Sequence, residues 1–126
     1  MSRLRWALLK HIQSQHHHNR FHFDLLLEDK EDCRSWRLDK FPQVDGPALK
    51  VIPISPHNLS WLTCDGREVS GGRGWASPVA SGYFLGELPI DYGIPFSIEL
   101  IGDDLNGKLD MEESESRFRS SKIFNF

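Results

Sequence analysis

Residues 21–28 read F-H-F-D-L-L-L-E, and this alternation constrains the fold more than any other part of the chain. Successive side chains on a strand point to opposite faces. Phe21, Phe23, Leu25 and Leu27 therefore share one face, and His22, Asp24, Leu26 and Glu28 the other. An amphipathic helix needs apolar residues every third or fourth position, and no stretch sustains that period. The other apolar segments are short. Residues 6–12 read as a strand, and 35–38 as a return strand after the polar turn 28–32. Residues 49–54 read as a third strand, which Pro53 confines to an edge or ends early. Residues 83–88 are a further candidate, and 96–101 pairs with 105–111 as a hairpin across Gly102-Asp103-Asp104. Residues 66–74 hold four glycines and read as a loop. Residues 114–121 are polar, and 122–126 read as a last strand or a tail. Many short strands between Gly and Pro turns imply an antiparallel sandwich or barrel with little helix.

A length of 126 residues suits one domain spanning 1–126, and 39% hydrophobic residues suffice for one modest core. Fifteen basic residues against eighteen acidic ones give a net charge of −3, which argues against holding duplex DNA by bulk charge. A local basic site stays open, because net charge does not fix its distribution. No apolar run approaches the length of a membrane span, and the basic start Met1–Trp6 lacks the long apolar core of a signal peptide. The expectation is a cytoplasmic protein in which Cys33 and Cys64, too far apart for a C-x-x-C pair, are reduced thiols.

The chemistry concentrates in residues 15–24, Q-H-H-H-N-R-F-H-F-D. On a strand, His22 and Asp24 lie about 6.5–7 Å apart and point the same way, so both can reach one ion. A third ligand can come from His16, His17 or His18 just upstream. Two imidazoles and a carboxylate leave about three positions of an octahedral ion open to water and substrate oxygens. By spacing alone, a His-x-Asp pair is as often an ordinary surface pair. His57, after an apolar strand, and the cations Arg20, Lys40 and Arg73 are, one by one, commonplace surface side chains. Gly71-Gly72-Arg73-Gly74 lacks the Gly-Lys-Ser/Thr ending of a phosphate-binding P-loop.

Several blocks taken together resemble the 3′-phosphoesterase domain of bacterial DNA ligase D, which also occurs as a stand-alone protein. Residues 16–28 match in spacing that family's H-D-A-T-R-L-H-Y-D-F-R-L-E. Residues 35–40, S-W-R-L-D-K, resemble its S-W-A-V-P-K, and 55–59, S-P-H-N-L, resemble its E-D-H-P-L. Residues 96–109 resemble its K-F-E-L-H-G-E-K-L-K-G-R-W hairpin, and the glycine loop falls in the expected place between. The resemblance implies a small antiparallel β-barrel holding a manganese ion, or another divalent transition metal, on His16, His22 and Asp24. It implies that His57, Arg20 and Lys40 act on the phosphate. The implied activity removes a 3′-terminal ribonucleoside or 3′-phosphate from DNA or RNA-tipped DNA ends in repair, alongside a DNA ligase or end-joining partner. Three positions depart from the family: Leu26 and Leu49 stand where it has arginines, and Trp61 where it has a tyrosine. By this reading Leu26→Arg raises turnover at phosphate ends.

Two other functions remain open on the residues. One is a non-catalytic module that keeps the metal but only binds ends or a partner, which Leu26 and Trp61 favour. The other is an iron oxygenase in which His22, Asp24 and His57 form a facial triad. A short chain without a clear cosubstrate arginine makes that the weakest of the three.

Overall fold

The computed structural model describes residues 3–13 and 20–121. Its strands are β1 (Leu4–Ile12), β2 (Phe21–Asp29), β3 (Asp32–Leu38), β4 (Leu49–Asn58), β5 (Arg67–Glu68), β6 (Trp75–Leu85), β7 (Phe96–Gly102), β8 (Gly107–Met111) and β9 (Glu115–Arg119). They pair in the order β1-β2-β3-β4-β9-β8-β7-β6-β5, and β1 also pairs with β6. Eight strands thus close an antiparallel barrel, and two-residue β5 hangs outside β6. The small barrel with little helix expected from the sequence is the observed fold. Among the described residues its helical element is one 3-10 turn, Leu59–Leu62, capped by Asn58, whose side chain accepts a hydrogen bond from the Ser60 amide.

Alternation decides which residues go inside. Trp6 and Leu8 of β1, Phe23, Leu25 and Leu27 of β2, and Trp36 of β3 belong to one buried cluster that fills the barrel. The seam between β4 and β9 is short, Leu49↔Ser116 and Lys50↔Glu115. Beyond it β4 has β3 as its strand neighbour, and Pro53, with no N–H to donate, sits on that stretch as expected of an edge position.

The outer face of β2 departs from simple alternation. A polar face should be wet, yet His22, Asp24 and Leu26 are buried. They are covered because residues 59–74 fold back over β1, β2 and β6. Leu59, Trp61, Leu62 and Val69 pack there against Ala7, Leu9, Leu26, Cys33 and Ala76 as a second apolar cluster. Cys33 lies inside that cluster, and both cysteines are free.

Against expectation, β1, β3 and β4 run longer, β8 starts at Gly107, and β5 lies within the segment read as a loop; two further differences have local reasons. β6 begins at Trp75 rather than residue 83, because a register shift opposite Leu8 and Leu9 accommodates Pro78 within the strand. β9 falls in the polar stretch 114–121. Its Ser116 and Phe118 point inward while Glu115, Arg117 and Arg119 face solvent, so one aromatic suffices to seat it. Residues 122–126 lie outside the described part.

Candidate metal centre

The β1–β2 register places His11 directly across from His22, with Asp24 two residues further along the same outer face. His11 Nδ1 lies 3.0 Å from His22 Nε2, and His22 Nε2 lies 3.4 Å from Asp24 Oδ1. One donor atom from each of the three falls within 4.8 Å of the others. Ligand bonds of about 2.1 Å put neighbouring ligands about 3.0–3.4 Å apart around an octahedral or tetrahedral ion. The spacing therefore fits a divalent cation with a nitrogen- and carboxylate-donor set.

The local hydrogen bonds prepare these atoms for that task. His11 Nε2 lies 2.8 Å from the Arg73 carbonyl. A carbonyl only accepts, so Nε2 carries the proton and the Nδ1 lone pair faces His22. The carbonyl is delivered by the glycine loop. Gly74 has φ +106°, and a Cβ there would collide with the Ile12 carbonyl, so only glycine lets the loop pass this close to β1. The loop that resembled no phosphate cradle thus orients a histidine.

Burial pushes His11 below the ordinary imidazole value, which keeps it neutral and able to ligate. Burial alone would push Asp24 up. The hydrogen bond from His22 and the charges of His22, Arg37 and His57 outweigh it and hold the carboxyl below its usual range. The carboxylate is therefore ionised in a site it shares with two imidazoles.

His57, near the end of β4, reaches the same place from the other side. Ser35 Oγ donates its single hydrogen to the Cys33 carbonyl at 3.0 Å, so it accepts from His57 Nδ1 at 2.8 Å. That assigns the proton of neutral His57 to Nδ1 and leaves the Nε2 lone pair facing the site, 3.9 Å from Asp24 Oδ2. Burial lowers the affinity of His57 for a second proton, against the pull of Asp24. Trp61 meets the His57 ring edge-on, with centroids 6.2 Å apart, and carries the Arg67 guanidinium 4.1 Å over its own ring.

His11, Asp24, Arg37, His57, Trp61 and Arg73 line a pocket of about 300 Å³. A larger hollow of about 410 Å³ beside β8 and β9 is lined by Asp110, Glu112, Glu115 and Arg119 among others, with no histidine. The chemistry therefore sits in the smaller one.

Of the residues singled out in the sequence, His22, Asp24 and His57 come together. His16, with His17 and His18, lies outside the described residues. Arg20 and Lys40 are exposed and do not line the pocket. Leu26 is fully buried in the outer apolar cluster, so it packs beneath the site rather than facing it. Leu49 packs against the barrel core. Sequence reasoning missed His11, Ser35, Arg37 and the Arg73 carbonyl. His11 was detectable: it ends a recognised strand, and an antiparallel pairing of that strand with the next sets it opposite His22.

The chain matches no family model and no curated protein.

Proposed function

We propose that the chain is a divalent-metal phosphoesterase of nucleic-acid 3′ ends, as its resemblance to the 3′-phosphoesterase domain of DNA ligase D implies. The observation that carries this reading is the clustering of His11, His22 and Asp24, of which His11 and Asp24 line a pocket that also receives His57. Two imidazoles and a carboxylate suit manganese and similar ions. Such an ion, when bound, polarises a phosphoryl oxygen and acidifies a coordinated water.

The chain's own groups do the rest. Asp24 and the two histidines present three ligand atoms on one side, and the pocket leaves the other side open to substrate. His57 Nε2 accepts the proton of the attacking water as the new P–O bond forms, and the leaving oxygen, on the opposite side of the phosphorus, takes its proton from solvent as the ester bond breaks. Ser35 holds the imidazole in the orientation that exposes Nε2. A pocket of about 300 Å³ admits a terminal phosphorylated residue and not a continuous duplex. Arg20 and Lys40, exposed outside it, meet backbone phosphates of the strand leading in. This activity serves DNA repair in the cytoplasm, upstream of a ligase or end-joining partner.

The test is a labelled primer ending in a 3′-phosphate or one 3′-ribonucleotide, incubated with manganese. Loss of the ribonucleoside and of the phosphate is expected, and Asp24→Ala should abolish both along with manganese binding. Intact primers with a protein that binds manganese stoichiometrically would leave a metal-binding module. No manganese binding at all would overturn the reading.

A further inference from the structure

The register of β2 and β3 sets Arg37 directly across from Asp24, on the same outer face. The two differ sharply in exposure: the Asp24 side chain is 5% exposed and the Arg37 side chain 39%. Arg37 thus reaches from the buried ligand set out into the pocket it helps to line. Its one side-chain hydrogen bond among the described residues is Nε to Asp24 Oδ1 at 3.5 Å, the outer limit for such a contact.

Three other arginines show what a purely structural guanidinium does in this protein. Arg5 grips Glu28 through Nε at 2.9 Å and Nη2 at 3.1 Å. Arg34 uses Nε on Asp29 and Nη2 on the Ile90 carbonyl. Arg73 ties Nε and Nη2 to Ser70. Each spends at least two donors on protein atoms. Arg37 keeps most of its five donors beside a pocket, in a fork whose geometry suits a tetrahedral oxyanion.

Charge points the same way. Asp24 is the one carboxylate among the described residues lining the pocket, against the guanidiniums of Arg37 and Arg73. A divalent ion adds two more positive charges and takes up the carboxylate. In a chain whose net charge is −3, this is a concentrated positive site that calls for an anion. With Arg73 held by Ser70, Arg37 is the cation left to meet it.

We propose that Arg37 binds the non-bridging oxygens of the substrate phosphate in this pocket, on the side away from His11 and His22. The proposal rests on the phosphoesterase reading, and its test separates the two. Inorganic phosphate is titrated calorimetrically into the manganese-loaded and the metal-free protein, for wild type, Arg37→Leu and Arg37→Lys. Hydrogen bonds to charged groups contribute enough that Arg37→Leu should weaken phosphate binding about 10–100-fold. Arg37→Lys should recover part of the loss, since it keeps the charge without the fork. Manganese affinity should not fall in either variant, because removing a cation beside Asp24 does not weaken its hold on another.

Unchanged phosphate affinity in a folded Arg37→Leu protein would overturn the proposal. So would a loss of manganese affinity with phosphate binding to the loaded form unaffected, which would make Arg37 a positioning residue for Asp24. If wild type binds no manganese, the phosphoesterase reading falls, and the metal-free titration decides Arg37 alone. A weaker Arg37→Leu with partial lysine rescue then supports it, and equal or absent binding overturns it.

Discussion

His11→Ala separates a metal centre from a buried histidine pair, because the two consequences of the substitution differ in size and in their dependence on manganese. Without metal, His11 supplies a donor to the Arg73 carbonyl and a partner to His22. Removing it strands buried His22 and the part-buried Arg73 carbonyl, at a cost of about 1–3 kcal/mol. For 126 residues the unfolding entropy makes each kcal/mol worth about 4 °C, so the apo melting temperature should fall by about 4–12 °C. Manganese at one hundred times its dissociation constant should stabilise wild type by about 2.7 kcal/mol, a rise of about 10 °C. Losing one ligand weakens a site at least as much as losing an outer hydrogen-bond partner of a ligand, which costs about 10–100-fold, and a loss of about 100-fold is expected here. At the same manganese concentration the variant then gains only about 0.4 kcal/mol, a rise under about 2 °C. The assay is a melting curve with and without manganese for wild type, His11→Ala and His16→Ala. A full manganese-dependent rise in His11→Ala, with its loss in His16→Ala, would refute the register argument and restore the ligand set expected from linear spacing.

Three other substitutions probe the surroundings of the ion. His57→Ala should leave manganese affinity in place and lower hydrolysis by roughly a hundredfold or more, the scale of one acid–base group; a fall in affinity would make His57 a fourth ligand. Gly74→Ala touches no ligand, yet by displacing the Arg73 carbonyl from His11 it should lower manganese affinity about 10–100-fold, measured by calorimetry on the folded protein. Leu26→Arg places a guanidinium at a fully buried apolar position, so the melting temperature should drop by more than about 10 °C, a cost of at least about 3 kcal/mol; higher turnover at an unchanged melting temperature would contradict the packing argument.

The barrel was legible because its signals are local. Alternation in residues 21–28 marks the inner face of β2, and β7 pairs with β8 as the expected hairpin, with residues 103–106 as its connection. β6 was legible only in its last three residues, 83–85, since Pro78 and Gly82 are strand breakers in isolation. In the sheet both have a reason: the bulge takes up Pro78, and Gly82 allows the close approach of the Ile101 carbonyl. The buried outer face was not legible at all. Whether His22 and Asp24 are wet depends on residues 59–74 folding back some forty positions downstream, and no periodicity within β2 encodes that.

The site divides along the same line. His22 and Asp24 are two residues apart on one strand, so local geometry is enough to pair them. The third member of the cluster, His11, comes from across the sheet, while the His16 expected from the resemblance lies outside the described residues. Counting along the chain leaves His16, His17 and His18 open, and the resemblance to the family motif selects His16, six residues before His22. Counting across the hairpin selects His11, eleven residues before it, because intervening residues belong to the connection and do not alter which strand positions face each other. Arg37 and Ser35 follow from the same logic one strand further: the register that opposes Arg37 to Asp24 also opposes Ser35 to Leu26. The pocket's positive charge is likewise a product of pairing. Asp24 spends its charge on the neighbouring cations, while the acidic excess of the chain lies elsewhere, as in Asp110, Glu112 and Glu115 around the larger hollow. A net charge of −3 is thus compatible with an anion site, because strand register, and not composition, decides which charges face one another.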